Sequence, residues 1–329
     1  MSDIIINILK AGYGDCFLIE FDNSVTLLID GGTKVSMQYN IKKIKQTYEN
    51  NKHNYILLTH IDNDHINGII YVTEQHKDIY GKISSVIFNK FSDLQYFIPN
   101  SEDLPPNIYI RDNNSGFTGY REGKTLEEEL AELDTSICSN IISGSSYLIH
   151  DIKIQALAPN IKSFKNYKKW LEDQEIAYTS SKVCDYSKGV EDLINNPFVE
   201  DTKVINLSSI SILIDYKGKK LLFLGDSAPS IIVETLGNLG YSSTNKLVLD
   251  ILKVSHHGSK HNTSPELLEI IKCRKFIIST DGKKFGHPDK ECLARIISSQ
   301  DNPELIFNYD LVDKIFSPDE LNSRTFLQM

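Results

Sequence analysis

The densest group of reactive side chains is His60-Ile61-Asp62-Asn63-Asp64-His65, four metal-capable residues within six positions. It follows the apolar run YILLT at 55–59, so a buried strand presents it on a loop, a rigid frame with ligands at its end. In an extended loop His60 and Asp62 project to the same side and can share one ion. Asp64 and His65 then turn toward a second position as a helix begins near Asn67. Imidazole nitrogen combined with carboxylate oxygen suits zinc and related divalent metals. Two such ions about 3.5–4 Å apart can hold a hydroxide and stabilise a leaving oxygen. A simple turn held by Asx bonds would use the Asp and Asn residues but leave the paired histidines without purpose.

Three more apolar runs stop at polar residues: LLFLG at Asp226, ILKVS at His256-His257, and KFIIS at Thr280-Asp281. If these strands lie side by side with YILLT and point the same way, one rim of a sheet gathers all the polar ends. Asp226 is a candidate bridging ligand. In His256-His257-Gly258-Ser259, neighbouring strand residues face opposite ways, so one histidine is expected to ligate. The other would bond a carboxylate or the substrate. We take His257 as the ligand and His256 as the catalytic neighbour, an order the sequence itself leaves open. Gly258 allows close approach to the backbone. His287, in Gly286-His287-Pro288, is a candidate proton donor or a contact for an anionic substrate. Lys260, Lys283 and Lys284 lie near enough in sequence to hold a phosphate. His53, His76, His150 and His261 have no partners at ligand spacing and are read as non-catalytic.

Elements must hold these residues in place. The first 35 residues read as a β-meander, and a helix is expected through Asn40–Glu49. IIYVTEQ is expected to be helical and ISSVIF a strand. KTLEEELAEL (124–133) reads as a solvated helix and SYLIHDIKIQALAP (146–159) as a strand pair. Residues 92–121 are loop-rich, and 160–203 are polar apart from a helix-like NYKKWLEDQ, an insertion or a mobile lid. Strands and helices then alternate, and LIFNY is expected to be an edge strand. VTLLIDGG (25–32) and KKLLFLGDS (219–227) echo each other as apolar strands ending in a Gly/Asp turn. Two similar halves packed sheet to sheet, with helices outside, fit this pattern.

The chain has 329 residues, 35 Lys+Arg against 44 Asp+Glu, and a net charge of -9. That balance counts against broad charge-driven nucleic-acid binding but not against a local basic patch. With 40% hydrophobic and 24% charged residues it reads as a soluble globular protein. No run approaches the roughly 18 apolar residues of a membrane span, and MSDIIINILK shows no signal-peptide pattern. Five cysteines without CxxC spacing fit reduced thiols in a cytoplasmic protein, with Cys16 as core filler.

The motifs resemble the metallo-β-lactamase-fold hydrolases, in particular the branch of the hydrolase domain of the DNA-uptake protein ComEC. The resemblance rests on GYGDCFLIEF…LLIDGG at 12–32, THIDNDHINGI at 59–69, NLSSISILI…KKLLFLGD at 206–226, DILKVSHHGSKHNTS at 250–264 and FIISTDGKKFGHPD at 276–289. It implies an α/β fold, a four-layer αββα sandwich, with two divalent metal ions, zinc or manganese, at one rim. His60 and Asp62 would serve the first metal and Asp64 and His65 the second, with Asp226 bridging. His256 or His257 would complete the second metal's shell. The superfamily has His where Asp62 stands, Asp being usual in the ComEC-like branch. Its next histidine ligand is here Asn206, a poor zinc ligand, so the first metal is expected to be weakly held or to be manganese.

These readings converge on a single domain over 1–329 with inserted segments near 92–121 and 160–203. The expected activity is metal-dependent hydrolysis of a phosphoester, as a nuclease or phosphodiesterase, by a metal-bound hydroxide. Asp64, His256 and His287 are the catalytic candidates. Asn206, Ser259, Lys260 and His287 are the substrate-binding candidates. The substrate would be a nucleic acid or a small nucleotide, with a protein partner possible and no membrane. Two alternatives stand beside it: hydrolysis of a small ester, lactone or amide, and a non-catalytic partner protein in a defence or signalling system.

Overall fold

Among the described residues sixteen strands frame the positions singled out above: β1 (Ile4–Ile8), β2 (Phe17–Phe21), β3 (Val25–Ile29), β4 (His53–Leu57), β5 (Ile83–Ile87), β6 (Ile137–Cys138), β7 (Ser146–Ile149), β8 (Ile152–Ala158), β9 (Ser211–Tyr216), β10 (Lys219–Phe223), β11 (Leu247–Leu249), β12 (Ile251–Lys253), β13 (Ile271–Cys273), β14 (Lys275–Ile278), β15 (Glu304–Phe307) and β16 (Thr325–Gln328). They belong to a computed structural model that describes residues 4–22, 24–90, 120–133, 136–173, 184–322 and 325–328. One sheet runs β1-β2-β3-β4-β5-β6 and the other β16-β15-β14-β12-β10-β9-β8-β7, with β11 and β13 paired apart. Each large sheet starts as an antiparallel meander and then turns parallel. The change comes at β3 in the first sheet and at β10 in the second. The echo between 25–32 and 219–227 therefore falls on equivalent strands.

Strand alternation divides the apolar side chains among three cores. Phe17, Ile19, Leu27 and Ile29 face Ile212, Ile214, Leu221 and Phe223 across the gap between the sheets. On the outer face of the first sheet, Leu18, Leu28 and Ile56 pack against α1 (Lys34–Asn50), α2 (Asn63–Gln75), α3 (Tyr120–Glu132) and α4 (Ile161–Asp173), through residues such as Met37, Ile66, Leu126 and Phe164. On the outer face of the second, Leu222, Leu252 and Phe276 pack against α5 (Pro229–Asn238), α6 (Pro265–Ile270) and α7 (Lys290–Ser299), through Ile232, Leu268 and Leu293. The layers are α, β, β, α. Cys16 lies in the core beneath the first helical layer, fully buried. No helix among the described residues is long and apolar enough to cross a membrane.

Several sequence expectations are revised. The helix expected near Asn67 starts at Asn63, with Asp62 as its N-cap, so Asp64 and His65 stand in its first turn rather than in a loop. VLDILKVS is split between β11 and β12, which pair with different partners. LIFNY is not an edge: β15 lies between β14 and β16, because the C-terminal stretch adds a parallel strand outside it. Within 160–203, α4 packs its Phe164 and Tyr167 into the first helical core. Residues 92–119 and 174–183 of the expected inserted segments lie outside the described residues.

Two glycines set how closely α2 approaches the end of β3. Gly31 N donates to His65 O at 2.8 Å and Gly68 N to Gly32 O at 3.0 Å. A Cβ on Gly68 would overlap the Gly31 carbonyl, and backbone cannot yield as a flexible side chain can. Gly68→Ala is therefore expected to destabilise the protein by about 1–3 kcal/mol, lowering Tm by a few degrees in a thermal melt. Gly81→Ala meets nothing within 4 Å and serves as the control. Equal melting of the two variants would refute the contact.

Candidate metal centre

Strands β10, β12 and β14 are adjacent and parallel, so Asp226, His256-His257 and Thr280-Asp281 emerge on one rim. The fourth run belongs to the other sheet. There β4 lies parallel to β3 and delivers Thr59-His60 to the same rim from across the sandwich. Ile210 N donates to Thr59 O at 2.9 Å and ties the two sides together.

The meeting point is one carboxylate oxygen. Asp226 Oδ2 lies 3.7 Å from His60 Nε2, 3.6 Å from His65 Nε2, 3.7 Å from His256 Nε2 and 3.6 Å from His257 Nε2. Asp64 Oδ2 stands 3.4 Å from His257 Nε2, and Asp62 Oδ2 3.9 Å from His60 Nε2. Ligand atoms of Asp15, His65, Asp226 and His257 all fall within 4.8 Å of one another. His60 Nε2, His65 Nε2, His257 Nε2, Asp226 Oδ1 and Asp15 Oδ1 are buried and have no hydrogen-bond partner among the described residues. Buried polar atoms are normally satisfied, so such a convergence of unsatisfied nitrogen and oxygen lone pairs fits a divalent cation.

The opposite ring nitrogens are all held by protein. His65 Nδ1 sits 2.8 Å from Asp30 Oδ2, and Asp30 also accepts from Thr59 N and Thr59 Oγ1, both at 2.8 Å. His60 Nδ1 faces Thr59 Oγ1 at 3.0 Å and Ser209 Oγ at 3.3 Å. His257 Nδ1 donates to Ser279 O at 3.0 Å and lies 3.3 Å from Asp15 Oδ1. Outer partners of this kind fix tautomer and ring direction in ligating histidines. Beneath them, Lys253 is 1% exposed, pairs with Asp15, donates to Gly225 O at 2.9 Å and lies 3.8 Å from Asp226 Oδ1.

Charge in this buried pocket is offset in part by the protein's own groups. Burial and the neighbouring His65 push His60 down to about 3, leaving it neutral. Burial opposes charge on His257 as well, but the Asp226 and Asp15 carboxylates outweigh it and lift the ring to about 9. Burial likewise works against the Asp226 carboxylate, yet the rings of His257, His256 and His65 hold it well below the usual range. A cation bound here must displace the imidazole protons.

Comparison with known proteins agrees with this geometry. Residues 9–135 match the model of the Metallo-beta-lactamase superfamily. The matched segment spans less than half of the chain. No curated protein sequence matches the chain. Among solved structures it is similar to a diphosphatase from the PhnP family (10% identity, TM-score 0.43, covering 99% of this chain and 95% of that one). It is similar also to Zn(2+)-bound PqqB from Methylobacterium extorquens (11%, TM-score 0.43, 94% and 98%). A third is CmlA, a diiron beta-hydroxylase from Streptomyces venezuelae (12%, TM-score 0.41), of which 98% of this chain covers about half, 52%.

The fold brings His60, Asp62, Asp64, His65, Asp226, His256 and His257 together. The expectation that strand alternation separates His256 from His257 is overturned. They occupy a 3-10 turn, Ser255–Gly258, with φ of 46° and 55°, and both rings face Asp226. His287 stacks near His256, ring centroids 5.0 Å apart, with Nδ1 3.4 Å from Asp289 Oδ2. Asn206 and Ser259 are not presented to a substrate, being 2% exposed each. Asn206 Nδ2 donates to Asp201 Oδ2 at 2.5 Å. Ser259 N donates to His256 O and its Oγ accepts from His261 N. Lys260 is half-buried and its amide donates to Asp289 Oδ2 at 2.9 Å. The remaining histidines have partners of their own: His53 stacks on His150, His76 faces Tyr71 Oη, and His261 donates to Val199 O.

Sequence reasoning passed over Asp15, Asp30, Lys253 and Asp201. Asp15 and Asp30 close the GYGD and LLIDGG turns, the same strand-end position that singled out Asp226. Lys253 shares the inward face of β12 with Ile251, which packs in the core between the sheets, so a lysine in that register was a readable signal. Asp201 lies in polar sequence with no pattern to mark it. Because Asp30 orients His65, Asp30→Asn is expected to weaken divalent-metal binding by about 10–100-fold. Competition against a chromophoric chelator measures this, and wild-type affinity in the variant would remove Asp30 from the role.

Proposed function

We propose that the chain is a single-domain, metal-dependent hydrolase of phosphoester bonds, acting as a nuclease or phosphodiesterase at a centre of two zinc or manganese ions. What carries the reading is the convergence of four imidazole Nε2 atoms on Asp226 Oδ2, flanked by the carboxylates of Asp62 and Asp64. Hydrolysis of a phosphoester has an attacking and a leaving oxygen to stabilise, the demand a two-metal site meets. His60 and Asp62 would hold one ion, Asp64, His65 and His257 the other, and Asp226 would lie between. Bound divalent cations would supply Lewis acidity toward the phosphoryl oxygens and make water more acidic.

The protein groups divide the remaining work. Asp64, 8% exposed, is the carboxylate placed to accept a proton from the attacking water as the new P–O bond forms. His287, at 15% side-chain exposure, is placed to hydrogen-bond the oxygen that departs when the ester P–O bond breaks. Lys260 and Lys284 are the candidate phosphate contacts at the rim. Lys284 Nζ is positioned by Tyr13 Oη at 3.1 Å, over the Tyr13 and Phe285 rings. A ComEC-like lineage rests on the motifs at 12–32, 59–69, 206–226, 250–264 and 276–289, and a cytoplasmic setting on five free thiols.

The test is hydrolysis of bis-p-nitrophenyl phosphate and of a single-stranded oligonucleotide, with zinc or manganese, by wild type and Asp64→Ala. Wild type is expected to cleave at least one and the variant neither. Equal cleavage by both would sink the site assignment. Turnover of a chromogenic lactone with no phosphodiester cleavage would transfer the reading to carbon esters.

A further inference from the structure

The resemblance implies a histidine ligand of the first metal at the position where this chain has Asn206, yet the structure commits Asn206 elsewhere. Its Nδ2 donates to Asp201 Oδ2 and lies 3.4 Å from His256 Nδ1. That leaves His60 and Asp62 as the first position's own ligands. Asn206 stands behind a different ring instead. His256 Nε2 lies 3.7 Å from Asp226 Oδ2, the same separation as His60 Nε2.

Three observations give this ring the build of a ligand. Its Nδ1 lies 3.0 Å from Asn262 Oδ1 and 3.3 Å from Asp201 Oδ2. Both of these partners accept, so Nδ1 bears the proton and Nε2 offers its lone pair to the cluster, while Asn206 Nδ2, itself a donor, acts on the ring through Asp201. Asn262 is held in that orientation because its Nδ2 donates to Asp226 O at 3.1 Å. The same pattern, one nitrogen on a carboxylate and the other toward Asp226, recurs at His65 with Asp30. Finally, His256 takes a left-handed backbone at φ 46°, ψ 52°, immediately before a second left-handed histidine. Such conformations are disfavoured for residues with a Cβ and persist where the surrounding structure over-determines them.

We propose that His256 is the third protein ligand of the first metal position, with His60 and Asp62, and that Asp201 and Asn206 are its positioning residues. This rests on the dinuclear reading of the site. The double-histidine turn then serves both ions, His257 on the Asp64 side and His256 on the other. The first position gains a second imidazole, so it is not the weak site that an Asn ligand would make.

Metal content and manganese EPR test this without any assay of turnover. Wild type, loaded with Mn(II) and dialysed, is expected to hold two ions per chain and to give an exchange-coupled spectrum. His256→Ala and His256→Gln should each retain one ion, lose the other or bind it at least 100-fold more weakly, and show an uncoupled six-line signal. Added imidazole should restore the second ion to His256→Ala, which a folding defect would not allow. Asp201→Asn should weaken the same ion by about 10–100-fold. His287→Ala, altering the neighbouring ring, should keep both ions. Two tightly bound, coupled ions in both His256 variants would overturn the assignment of His256 while leaving the dinuclear centre intact. Fewer than two ions in wild type would overturn the dinuclear reading itself, and this inference with it.

Discussion

A carboxylate removed from water is unstable unless its surroundings replace the lost hydration. Asp226 is 2% exposed, and much of the local structure supplies that replacement. Four imidazoles face one of its oxygens and Lys253 approaches the other. Its amide donates to Ser209 Oγ at 3.0 Å, and its carbonyl accepts from Asn262. Strand β4, in the opposite sheet, must end at the same rim to supply His60, α2 must press against β3 to supply His65, and the turn after β12 must adopt two left-handed residues. Each is a local departure from ease that makes sense around one buried anion.

Much of this was legible in the residues. The six-residue cluster at 60–65, the strand-end aspartate and the double histidine were found because ligand chemistry and strand endings coincide there. The αββα layering could be expected because apolar runs alternate with helical periods in both halves. What stayed hidden depended on distance in space or on local geometry. Asp30 and Asp201 act through rings far away in sequence, at His65 and His256. The two left-handed histidines break the alternation rule, which assumes an extended chain. The start of α2 was misplaced because Asp62 caps the helix from within the metal cluster, so a functional signal and a structural one share the same residues.

The net charge of -9 acquires a local meaning. Asp15, Asp30, Asp64 and Asp226 are all buried near the rim, and Lys253 is a fixed internal cation among them. From its place in β12, Lys253 pairs with Asp15 and approaches Asp226 Oδ1 to 3.8 Å. Salt screens such a buried contact far less than one at the surface. The pocket is thus built to need cations and to provide only part of that need itself.

The order of ligands along the chain has a consequence for biogenesis. His60 to His65 emerge first, while Asp226 follows His65 by 161 residues. At ordinary translation speeds that interval is on the order of ten to thirty seconds. During it the first sheet can pair and pack its helices, but its imidazoles have no shared anion to face. A cation at the proposed centre would therefore be captured only when the second sheet docks. Its binding energy would act as a clasp on the finished sandwich rather than as a nucleus for folding.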